Sequence, residues 1–214
     1  MTPRDLLAER AGRRLLDPLP LAVSRPLVLM RLGYRSATQV PEKTARLLDE
    51  EIAACAPLLR GRAVFASCAI ERHGDEVRLG GRLASRSRTL RERLEGCATA
   101  WIFAATIGDA VERRATTLSD AGEMTRSLLS DAYGSAAAIA LGLALEEAVA
   151  RECAPLGLQP TKRTAPGYGD FELEMQRPLV DLVEARGIGI TVTEDFLMLP
   201  AKTISGVIGG RAVA

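Results

Sequence analysis

Aromatic side chains are scarce in this chain: one Trp, three Tyr and four Phe among 214 residues, 4% of the total. Because 47% of the residues are nonetheless apolar, Ala, Leu, Val and Ile must fill the core, and side chains that small require close packing of helices on their neighbours. Histidine is limited to His73, within the polar run Glu71-Arg72-His73-Gly74-Asp75. An imidazole-based zinc site and a Ser-His-Asp triad are both disfavoured by that scarcity. Cys55, Cys68, Cys97 and Cys153 show no ligand spacing and sit among small or apolar neighbours, the pattern of buried thiols in a reducing, cytoplasmic compartment. Lysine is nearly absent, and 28 basic residues are balanced by 27 acidic ones. No nucleic-acid partner is indicated; Arg13-Arg14 and Arg113-Arg114 read as solvated helix faces. Met1 to Leu16 mixes Arg4, Asp5, Glu9 and Arg10 with no apolar centre, so it does not read as a signal peptide. No run approaches ~18 apolar residues, so no membrane span is expected.

What is present reads as an alternation of periods. Asp5 to Leu16 has helical spacing and stops before Pro18 and Pro20, giving an N-terminal helical arm over residues 1–40. Pro41 to Leu59 is a firmer helix, with Pro41 in its first turn and one apolar side. Arg62 to Ile70 and Glu76 to Leu79 read as strands of a hairpin turning at His73-Gly74-Asp75. A short charged helix is expected over Ser85 to Leu94, and Ala98 to Thr106 is the best central-strand candidate. Gly108-Asp109 then turns the chain into a helix over Ala110 to Leu118. Glu123 to Ala154 is helical with few breaks, and Gly134, Ser135, Ala138 and Gly142 leave room along it for another element. Leu173 to Ala185 reads as a helix closed by Gly187, exposing Glu174, Gln176, Arg177 and Glu184. Ile188 to Thr193 and Thr203 to Ile208 are candidate strands. The order is not a strict βαβ alternation, which favours an α+β fold: a single compact domain over residues 1–214, with an antiparallel or mixed sheet wrapped by helices.

The segment Arg163-Thr164-Ala165-Pro166-Gly167-Tyr168-Gly169-Asp170 concentrates a cation, a ring, a forced turn and two glycines. Pro166 sets its own φ and pushes Ala165 toward extended geometry, while the glycines permit turns or close approaches that a side chain would block. Arg163 offers a planar fork of donors for a carboxylate or phosphate, and Tyr168 a flat face and one hydroxyl. Such a set suits an anionic, partly aromatic small molecule; an ordered turn whose Arg pairs with a nearby carboxylate reads equally well.

That loop, the helix after it, and Thr193-Glu194-Asp195-Phe196-Leu197-Met198-Leu199-Pro200-Ala201-Lys202-Thr203-Ile204-Ser205-Gly206 together resemble the reductive-activation domain of cobalamin-dependent methionine synthase, and above all its free-standing relatives. Weaker points of similarity are Arg31-Leu32-Gly33-Tyr34-Arg35, Ala104-Ala105-Thr106-Ile107-Gly108 and Asp131-Ala132-Tyr133-Gly134-Ser135. The resemblance implies a compact sheet wrapped by helices, with the ligand loop and C-terminal strands in residues 155–214. It implies S-adenosylmethionine bound by Arg163, Ala165, Pro166, Gly167 and Tyr168, with Arg163 on its carboxylate. It also implies a corrinoid- or partner-facing set of Gly169, Asp170, Glu194, Lys202 and Ser205, although Glu194 and Lys202 could equally pair with each other. No catalytic acid or base and no bound metal are expected. Aligned on Gly134-Ser135, the long helix has Ala138 and Ile139 where many relatives carry a glutamate for the ligand's ammonium.

By the same resemblance the function is reactivation: methylcobalamin is restored from Co(II) with a reductase's electron and the methyl group of S-adenosylmethionine. The chain has no Asp-x-His-x-x-Gly run, so cobalamin would arrive on a separate carrier protein, as in a split methionine synthase serving methionine biosynthesis. Two alternatives stay open: an activator of the corrinoid protein of another methyltransferase system, and a non-catalytic cap on a corrinoid carrier that has lost S-adenosylmethionine binding. An unrelated enzyme using Asp109 or Asp131 as base lacks a supporting constellation.

Overall fold

The computed structural model describes residues 12–36 and 40–213. Its strands in chain order are β1 (Arg14–Leu16), β2 (Arg62–His73), β3 (Glu76–Leu79), β4 (Leu83–Ser85), β5 (Cys97–Thr106), β6 (Leu158–Pro160), β7 (Thr191–Val192), β8 (Met198–Leu199) and β9 (Thr203–Ala212). The helices are α1 (Arg25–Arg31), α2 (Glu42–Cys55), α3 (Arg88–Arg93), α4 (Ala110–Asp120), α5 (Met124–Cys153) and α6 (Gln176–Leu182). Six strands pair in the order β4-β3-β2-β5-β9-β6, with β1 added beside β2, and every pairing is antiparallel. The fold is α+β.

Strand β5 is central, and the alternation of its side chains builds two cores. Ala100, Ile102 and Ala104 join one apolar cluster with Leu179, Val180 and Val183 from the α6 region. Trp101, Phe103 and Ala105 face the other, with Ala137, Leu141 and Leu145 of α5. A third cluster packs α1 and α2 on the first half of α5 through Val28, Leu48, Leu129 and Tyr133. Helix α5 thus carries much of the fold. Contrary to the expectation of no such run, Met124–Leu156 is long and apolar enough by composition to cross a membrane, but 61% of its most apolar window is buried against the sheet and helices here.

Several local expectations are corrected. Residues 5–11 of the expected first helix lie outside the described residues, and its last part, Arg14–Leu16, is a strand paired with Phe65, Val64 and Ala63. Ser85, expected to open a helix, instead ends strand β4, and β6 lies in residues 155–169, expected to be loop. Helix α6 ends at Leu182, before Gly187, and Glu184 just beyond it has a φ of 53° that no α-helix continues through. Ile188 to Thr193 supplies only Thr191 and Val192 as strand, in a separate hairpin with β8. Gln176 is buried rather than exposed. Cys55, Cys97 and Cys153 are buried, and burial pushes the half-buried Cys68 thiol up to about 12.

One buried charge sits in the helical cluster. The Glu51 carboxylate of α2 has no exposed surface and accepts hydrogen bonds from Arg114 of α4 (2.8 and 3.0 Å), Arg126 of α5 (2.5 Å) and Ser130 (2.9 Å). Burial alone would raise its pKa, but the bonds from Arg126, Arg114 and Ser130 outweigh that and hold it below the usual value. A carboxyl depressed on folding adds stability above its unfolded pKa, about 4.3, and that stability is lost as pH falls through the folded value. Glu51→Gln should therefore cost about 3 kcal/mol at neutral pH in denaturant melts, the low end for a broken buried pair because both arginines are nearly a third exposed. The gap between variant and parent should narrow below pH ~4.

Candidate functional site

The RTAPGYGD loop is tied down at three places. Thr164 exchanges backbone hydrogen bonds with Val207 of β9, at 3.0 and 2.8 Å. That approach is so close that a Cβ on Gly206 would lie 2.3 Å from the Thr164 carbonyl oxygen, so glycine is required there. Beyond it the loop turns on itself through Tyr168 N–H to Ala165 O (3.1 Å) and Gly167 N–H to Phe171 O (2.8 Å), with Gly167 at a φ of 88°. Phe171, 1% exposed, plugs this turn into the core. The third tie is Asp170, whose carboxylate accepts from the N–H groups of Arg88 and Thr89 and from the Ser87 hydroxyl, at 2.8 to 2.9 Å. These are orphan donors at the start of α3. They hold the Asp170 carboxyl well below the usual carboxylate range, the Thr89 N–H contributing most.

Under the loop lies a hollow of about 590 Å³, within the range of small-molecule sites. Its walls come from Arg163 to Pro166 and Tyr168 of the loop, Glu146 of α5, Gln176 of α6, Met198 of β8 and Thr203 to Ser205 of β9. Arg163 donates to Glu146 at 2.7 Å, and both side chains are about a third exposed. Pro166 is buried, Ala165 half-buried and Gly167 exposed. Tyr168 is 69% exposed, which puts its ring at the rim. On the floor, Gln176 donates to Ser205 Oγ and touches the Met198 sulfur. Lys162 completes the wall and is shared with a second cleft of about 510 Å³, where Glu92 stands with Arg93 and Arg211.

The second motif divides. Lys202, 17% exposed, bonds to Asp131 (2.8 Å) and Ser135 (2.9 Å) of α5, so it does not pair with Glu194. Gly134 beside it leaves space for the lysine stem, Cε lying 3.4 Å from where a Cβ would stand. Glu194 and Asp195 are exposed between β7 and β8, in a turn where Arg177 stacks 5.8 Å from the Phe196 ring centre. Gly169 packs on Thr89 and Asp170 binds α3, so these two anchor the loop, whereas Ser205 belongs to the cavity floor.

Three wall residues lie outside both motifs of the sequence: Glu146, Lys162 and Gln176. Ala138 and Ile139 are not wall residues, but Glu146, farther along the same helix, is. Its only signal was the spacing from Gly142, one turn before it. Asp170→Asn should leave the start of α3 without its anionic acceptor, so amide hydrogen exchange at Arg88 and Thr89 should accelerate while strand β5 keeps its protection.

No protein-family profile matches the chain, and no curated protein matches it. Among solved structures it is similar to the crystal structure of the MetH reactivation domain bound to AdoHcy, at a TM-score of 0.67 and 16% identity over 96% of this chain and 80% of that one. The chain has the fold of that reactivation domain.

Proposed function

We propose that this protein binds S-adenosylmethionine in the hollow under the RTAPGYGD loop and presents its methyl group to a corrinoid carried by another protein, as the reactivation component of a split cobalamin-dependent methionine synthase. The observation that carries this reading is the Arg163–Glu146 pair in the wall of a 590 Å³ cavity, in a fold shared with a reactivation domain whose crystals held AdoHcy. An amino-acid end carries one carboxylate and one ammonium, and the two residues offer one counter-charge to each. Arg163 would take the carboxylate and Glu146 the ammonium. Ala165 and Pro166 shape the wall, Gly167 supplies the turn that follows them without lining the cavity, and Tyr168 at the rim covers the outer part of the ligand.

A corrinoid delivered by the partner and reduced by a reductase would supply the nucleophile for the sulfonium methyl group, with AdoHcy leaving as the bond to sulfur breaks. This chain's part is geometric. Its residues hold the donor in one pose, and fixing two reactants in line lowers a barrier by roughly 7–11 kcal/mol without an acid or base. Tyr168 at the rim, Leu173 beside Gly167, and Leu197 next to Met198 in the hairpin are exposed apolar side chains near the cavity. Such a rim fits a transient partner that covers the opening. Glu194 and Asp195, exposed on the same hairpin, are the charged groups that partner would meet.

Calorimetry with AdoHcy tests the site: the parent should bind, and Arg163→Ala should bind about 10- to 100-fold more weakly, the loss of one charge-assisted pair. Visible absorption tests the reaction. Methyl-cobalt should form when the parent is mixed with a Co(II) corrinoid carrier, a reductant and S-adenosylmethionine, and not with Arg163→Ala. Carrier binding without any AdoHcy binding would overturn the reading in favour of a non-catalytic cap.

A further inference from the structure

We infer that Gly142 is a positioning residue that makes this cavity selective for ligands with an amino-acid end; the inference rests on the proposed function. Gly142 is buried in α5, in a helix interior where glycine is a poor choice on backbone grounds. Its neighbour explains it. A Cβ at this position would lie 2.8 Å from Arg163 Nη1, 2.9 Å from Cζ and 3.1 Å from Nη2. Three atoms of one planar group at nearly equal distance mean that the guanidinium lies broadside on the helix backbone rather than pointing at it. One turn later Glu146 takes Nη1 at 2.7 Å. The backbone thus closes one face of the fork and the carboxylate occupies one edge. Arg163 also lines the cavity, and the donors left over there are aimed by that seat.

An alanine at 142 would not break the helix, because what it strikes is the mobile end of a long side chain. Arg163 would swing away and the seat would be lost. This predicts opposite responses of stability and binding, which a residue kept for packing would not give. Gly142→Ala should melt at the parent's temperature or above it. Its affinity for AdoHcy should fall about tenfold or more, as expected for a displaced charge-assisted contact. Its affinity for 5′-methylthioadenosine, which lacks the amino-acid end, should stay within about twofold. Adding Gly142→Ala to Arg163→Ala should cause no further loss. In the parent, the Arg163 Nε–H signal in nitrogen–proton NMR should be sharp, and in Gly142→Ala broadened.

Equal weakening for both ligands, additive losses in the double variant, or a lowered melting temperature would each overturn the inference. Gly134→Ala, made at the Lys202 contact, is the comparison: it should alter neither ligand's affinity, and a tenfold loss there would overturn the assignment to Gly142. If the parent itself fails to bind AdoHcy, the proposed function and the ligand half of the inference fall together. The NMR signal then still decides whether Gly142 seats Arg163.

Discussion

The contact on which the cavity depends is that of helix α5 with Arg163, one of two cations that reach the helix from later in the chain; the other, Lys202, lies outside the cavity wall. Arg163 lies on the bare backbone at Gly142 and pairs with Glu146; Lys202 passes Gly134 and pairs with Asp131 and Ser135. Both arrive from segments that are also held elsewhere: Asp170 by the first amides of α3, Thr164 by Val207, and the Lys202 carbonyl by Ile107 N–H. The small residues of α5 therefore do two things. On one side Ala136, Ala137 and Ala140 let it pack closely against its neighbours, and on the other the glycines admit long side chains.

Order is passed to the loop from the sheet. Strand β5 is held on both sides, by β2 and β9, and β9 in turn receives Thr164 across Gly206. Phe171 and Asp170 then fix the loop's far end on the opposite face of the sheet. The cavity wall is an extension of the central sheet by one short bridge, so its shape is inherited from the most buried strand in the protein.

The sequence disclosed those parts whose cause is local. Strand β5 was legible because ten nearly uninterrupted apolar residues have no other use, the β2–β3 hairpin because Gly74-Asp75 separates two extended runs, and α2 because Pro41 precedes an apolar stripe. The loop was legible as ordered from Pro166 and its glycines. What stayed hidden depends on distant partners. Three residues, Arg14–Leu16, have no strand signature of their own and become one only because β2 offers a free edge. Gln176 looks like any helix-surface amide until Ser205 and Met198 close over it. Glu146 looks like a solvated charge until Arg163, 17 residues later, folds back to it. The break at Glu184 carries no glycine to announce it.

The bonding of Asp170 to the first amides of α3 has a mechanical consequence. A loop riveted to a helix at one end and stitched to a sheet at the other is a fixed jaw, so the cavity wall is built in advance, and a molecule bound there would cost little ordering entropy. The opposite wall is built differently: Met198 reaches it from the short β7–β8 hairpin, which pairs with no strand of the main sheet and is held instead by Arg177 of α6.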